Sequence, residues 1–119
     1  MNFLARVLKP LFWAALIFSY VAAVMPQAEA PRIADSDKVE HMIAFFTLSL
    51  LAGLAWRHVA LLWIGVALAS FGLLIELTQA VPLLHRDASG ADWAADCAAI
   101  LVGLAVAFAG RRSLPWPRT

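Results

Sequence analysis

Residues 58–79 read HVALLWIGVALASFGLLIELTQ, and no ionisable side chain lies between His58 and Glu76. At about 1.5 Å per residue, a helix through this run would cross about 30 Å of hydrocarbon, so it reads as a transmembrane span. Its far end carries Gly72, Glu76 and Gln79 at spacings of four and three, which puts a small residue, a carboxylate and an amide on one helix face. A charged group deep in a bilayer costs about 2.5–3.5 kcal/mol on insertion scales. Glu76 must therefore be protonated, paired with a neighbouring helix, or open to a wet cavity.

Three further segments read as spans, running about 7–25, 39–56 and 91–110 beside the one at 58–79. Pro26 closes the first, and Pro10 falls in its opening turn, where a missing amide proton is tolerated. The second opens with Asp37 and Glu40, a capping-box-like pair. Ser89 and Gly90 supply an entry to the fourth, and Asp92 in its first turn suits the positive end of the helix dipole. Arg6 and Lys9 before an apolar stretch, followed by Ala28-Glu29-Ala30, also resemble a cleaved leader. Pro31 directly after that site opposes cleavage, so the first helix is expected to be retained. The sequence thus predicts an all-α fold, a four-helix transmembrane bundle in a single integral membrane domain over 1–119.

Composition agrees. Of the 119 residues, 63% are hydrophobic and 14% charged, against about 25% charged in a soluble globular domain. Mean hydropathy is +0.81. No basic face or phosphate-cradling motif is present, which excludes nucleic acid as a partner. Cys97, the single cysteine, has no internal disulfide partner and reads as a small buried hydrophobe. Trp56, Trp63, Trp93 and Trp116 fall near segment ends and read as interfacial anchors.

With four crossings, both chain ends share a side with the turn at Arg57 and His58. That side holds Arg6, Lys9, Arg57, Arg111, Arg112 and Arg118, six of the nine Lys and Arg residues, and the other side holds Arg32, Lys38 and Arg86. Positive charge favours the inner face, so the N and C termini are expected in the cytoplasm. Every acid (Glu29, Asp35, Asp37, Glu40, Glu76, Asp87, Asp92 and Asp96) then lies in the outer half. Whichever side is outside, parity brings together the start of the second helix, the end of the third and the start of the fourth.

Seven polar residues meet there: Lys38, His41, Glu76, Gln79, Arg86, Asp92 and Asp96. Lys38 and His41 share a face of the second helix, with Phe45 one turn deeper. Asp92 and Asp96 share a face of the fourth, followed by Ala99 and Gly103 at helix-contact spacing. Alone, Lys38 would only snorkel to headgroups and His41 would only be solvated. Together the seven either fix the bundle through interhelical pairing or form a working site.

The residues Asp37-Lys38-x-x-His41, Gly72-x-x-x-Glu76-x-x-Gln79, Arg86, and Asp92-x-x-x-Asp96 with Gly103 resemble the VanZ-like family of small bacterial membrane proteins, over about 36–106. The resemblance implies a multi-pass envelope protein of the bacterial cytoplasmic membrane and the importance of the seven matching positions. The family's founding member is associated with teicoplanin resistance. No reaction is implied.

The expected function is an outward-facing polar pocket that binds a lipid headgroup, a cell-wall intermediate or a glycopeptide-type ligand. Arg86 and Lys38 would meet an anionic group, and Glu76, Asp92 and Gln79 would hydrogen-bond sugar or amine groups. Two alternatives stay open. One is a membrane-embedded enzyme acting on a lipid or lipid-linked phosphate, with His41 beside Glu76 or Asp96 as acid and base. The other is a structural or partner-binding subunit, including a homo-oligomer. His41, Glu76, Asp92 and Asp96 have metal-ligand chemistry, but no paired-His or Cys spacing supports a metal, and no cofactor is expected.

Overall fold

A computed structural model of the protein describes residues 3–25, 37–81 and 90–113, with the side chains of Asp37 and Lys38 outside that description. All of its regular structure is α-helical: α1 Phe3–Val24, α2 Asp37–Ala55, α3 Leu61–Gln79 and α4 Gly90–Ser113. The lengths of α1, α3 and α4, together with their apolar character, suffice to cross a membrane. The apolar part of α2, Val39–Ala55, is shorter, because Asp37, Lys38 and Glu40 occupy its first turn.

Two boundaries differ from the sequence reading. Residues 57–60 form a turn, with the Val59 amide donating to the Trp56 carbonyl, so the third helix starts at Leu61 rather than His58. The first helix starts at Phe3, which puts Pro10 inside it rather than in its opening turn. There Pro10 removes one helix hydrogen bond, to the Arg6 carbonyl in the first half of α1.

Contacts fix the helix directions. Along α2 and α4, Ser49 meets Gly103, Gly53 meets Ala107 and Leu54 meets Gly110, so these two helices run parallel. Trp56 packs on Phe12 and under Lys9 in the first half of α1, and Gln79 at the end of α3 meets Ala23 near the end of α1. Thus α1 and α3 run one way, α2 and α4 the other, as alternate crossings require. The ends of α3 and the starts of α2 and α4 therefore share one end of the bundle.

The seam between α2 and α4 is the most extensive in the bundle. It is built from small residues, which let helices approach where no hydrophobic force separates protein from lipid. A side chain at Gly103 would collide with Ser49 Oγ and lie 2.7 Å from the Phe46 carbonyl oxygen, and one at Gly53 would lie 2.5 Å from Ala107 Cβ. Ser49, fully buried, donates to the Phe46 carbonyl at 2.9 Å and so keeps its hydroxyl satisfied at the closest approach. Outward-facing Phe18, Leu62, Trp63, Leu77 and Leu101 are all exposed, the inverse of a soluble surface and the expected face toward lipid.

Candidate functional site

The shared end of the bundle brings His41, Glu76 and Asp96 together. His41 lies just past the first turn of α2, Glu76 one turn before the end of α3, and Asp96 in the second turn of α4. One ligand atom from each lies within 4.8 Å of the other two. His41 Nδ1 stands 4.0 Å from Asp96 Oδ2. Asp96 is 1% exposed and Glu76 7%, while His41, at 12%, sits at the mouth. Among the described residues, neither Asp96 carboxylate oxygen and not His41 Nδ1 has a hydrogen-bond partner.

That absence matters energetically. A buried polar group lacking its hydrogen bond costs about 1–3 kcal/mol, and more when charged. The floor beneath the trio gives no relief, since it consists of Phe45 and Ile75, each 1% exposed. Gly72 makes room for rings rather than for a helix backbone: a side chain there would lie 3.3 Å from Phe45 and 3.5 Å from Trp93. Phe45 can therefore seal the trio from the apolar interior.

The other predicted site residues fall in different places. Asp92 lies in the first turn of α4, partly buried and one turn toward the helix start from Asp96. Gln79 is buried at 2% exposure, and its amide donates to the Ala23 carbonyl of α1 at 2.9 Å, so it ties α1 to α3. Lys38 is in the first turn of α2, but its side chain lies outside the described residues. Arg86 also lies outside them, as do the Ser89 helix entry, the loop with Arg32 and Asp35, and the tail with Trp116 and Arg118.

Several working contacts are not legible as motifs. Trp93, expected as an interfacial anchor, donates from Nε1 to the Ala69 carbonyl at 3.0 Å and joins α4 to α3. Trp56 packs edge-on against Phe12 and Trp13 and lies under Lys9 Nζ at 5.6 Å from its ring centre. At that opposite end, Arg111 donates to the carbonyls of Gly53 at 2.7 Å and Trp56 at 3.0 Å, and Arg57 donates to the Arg111 carbonyl at 2.6 Å. The two guanidiniums thus cap the carbonyl ends of α2 and α4. The signal available in the sequence was position alone: an arginine directly after each apolar run.

A groove of about 410 Å³ runs along α3 and α4. Gly65, Ala69, Cys97, Ile100 and Leu104 line it, and its walls are almost wholly apolar. Searches of known proteins find no matching family model, curated protein or solved structure.

Proposed function

We propose that the protein is a multi-pass protein of the bacterial cytoplasmic membrane whose polar mouth faces the extracytoplasmic side and binds the polar head of a lipid or lipid-linked cell-wall intermediate. The observation that carries this reading is Asp96: a carboxylate buried at 1% exposure, beside His41 and Glu76, with no hydrogen bond from any described residue. Ionisable groups inside membrane spans typically face a cavity or pathway, and a purely architectural network would pair them. The apolar groove on α3 and α4 supports an amphiphile, since it offers a chain-sized strip of hydrocarbon contact on two of the helices that carry the polar cluster.

In this reading four helices cross the membrane, with both termini in the cytoplasm, as the six-to-three division of cations favours. The site is the one to which the resemblance to VanZ-like proteins points, and Lys38 and Arg86 would supply charge for an anionic head. Reporter fusions at both termini test the orientation. Native mass spectrometry of protein extracted in a gentle detergent tests the ligand. A phospholipid or cell-wall precursor should remain bound to the wild type and be lost from Asp96→Asn. If no such molecule copurifies and Arg86→Ala changes no binding, the reading fails. Retention of a glycopeptide instead of a lipid would reassign the ligand.

A further inference from the structure

We infer that His41, Glu76 and Asp96 form a binding site for one divalent transition-metal ion, Zn²⁺ being the best match to the donors. The inference goes beyond the ligand-binding reading, because the ion would bind the protein with no lipid present.

Three observations converge. The first is donor chemistry: one imidazole nitrogen and two carboxylates make a mixed nitrogen and oxygen set of the kind zinc takes, with three protein ligands leaving a position open to water or substrate. The second is geometry. Each residue comes from a different helix, yet the donor atoms lie within 4.8 Å of one another. Ligand atoms about 2.1 Å from a tetrahedral ion stand about 3.4 Å apart, so closing the site requires contraction of up to about 1.4 Å, within reach of side-chain rotation. The third is the missing partner. Asp96 is 99% buried, its relative exposure being 1%, and its carboxylate points at His41 without a hydrogen bond among the described residues.

Electrostatics favours the same conclusion. Two carboxylates this close repel if both are ionised, and burial removes the water that would screen them. A divalent cation between them removes both penalties at once. His41 is suited to complete the site, since its unbonded Nδ1 is available to donate a lone pair while Nε2 carries the proton. At 12% exposure, the imidazole also leaves an approach from the mouth, where an open coordination position would meet a phosphate or hydroxyl oxygen.

The test uses the full-length protein in detergent, stripped with chelator and then titrated with Zn²⁺ alone, followed by elemental analysis. Wild type should bind one ion per chain. His41→Ala, Glu76→Gln and Asp96→Asn should each weaken binding by more than the about 10–100-fold that losing an outer-shell partner costs. His58→Ala should bind as wild type, because His58 lies at the other end of the bundle. Loading with Co²⁺ should give visible absorption bands that His41→Ala changes. If His41→Ala does not fold, judged by circular dichroism and gel filtration, His41→Gln replaces it.

Absence of a saturable ion in wild type would overturn the inference and indicate that Lys38 or a proton balances the carboxylates. Binding that survives both Glu76→Gln and Asp96→Asn would overturn it equally. Lipid copurification is measured separately, so failure of the metal site leaves the ligand reading to its own experiment.

Discussion

The two ends of the bundle solve the same problem differently. At one end the carbonyl termini of α2 and α4 meet two arginines that donate to them: Arg111 to Gly53 and Trp56, Arg57 to Arg111. At the other end His41, Glu76 and Asp96 come together, and the Asp96 carboxylate is left without a hydrogen bond from any described residue. Both ends bury ionisable groups, with Arg57 at 4% exposure and Asp96 at 1%. The difference teaches that burial of charge alone does not mark a site. A buried charge that donates to helix carbonyl ends is architecture, and one that has no hydrogen bond from any described residue marks a candidate site.

Four substitutions would break or sharpen that contrast. The largest effect belongs to the seam that holds both ends in register. Gly103→Leu forces a side chain into Ser49 and the Phe46 carbonyl, and should prevent accumulation in the membrane, a cost of about 3 kcal/mol or more. Membrane-fraction immunoblots with a tagged chain would show it.

At the basic end, Arg111→Ala removes the donor to two carbonyls and leaves Arg57 pressing on a weakened corner. Stability should fall by about 2–4 kcal/mol, read from thermal unfolding in detergent. An unchanged midpoint would mean that lipid headgroups, not Arg111, satisfy those carbonyls.

Gln79→Leu should cost less, about 1 kcal/mol, since one amide bond to the Ala23 carbonyl is lost. Its sharper readout is selectivity: helix α1 should become easier to cleave with protease while metal and ligand binding persist. Loss of ligand with intact stability would return Gln79 to the binding surface.

The smallest stability effect is expected at the acidic end. With metal removed by chelator, Asp96→Asn should lose no stability and gain up to about 1 kcal/mol, because it replaces a buried carboxylate that has no hydrogen bond among the described residues. The same variant should lose ligand retention. A stability loss comparable with that of Arg111→Ala would show that both ends are architectural and would end the functional distinction.

The helical class and the number of helices were legible because hydrocarbon imposes its own rule. Backbone polar groups must bond internally across a bilayer, so long apolar runs such as 61–75 have one regular solution. Parity was legible for the same reason, and it placed His41, Glu76 and Asp96 at one end before any contact was known. Parity could not tell the members of that end apart. Gln79 shares a face with Glu76, yet it turns its amide to α1. That choice depends on where α1 packs, and no local pattern encodes it. Trp93 was read by its position near a helix end, while its indole reaches into the gap beside Gly72 to bond α3. The turn at Arg57 and His58 was legible, but its extension through Val59 and Ala60 was not, because those two residues are as apolar as the helix that follows.

By itself the sequence determined that this is an all-helical protein with spans long and apolar enough for a membrane, and that Glu76 and Asp96 lie toward one end of it. Length and composition suffice for that, because the solvent penalises every alternative. Only the tertiary structure decided which of those polar groups meet. Side chains on three helices approach within 4.8 Å through the closeness of the α2 and α4 seam, which the small residues Gly53, Gly103 and Ala107 permit. That closeness is a property of surfaces in contact, and it separates the arginines that donate to helix carbonyls at one end from the carboxylate at the other that has no hydrogen bond from a described residue.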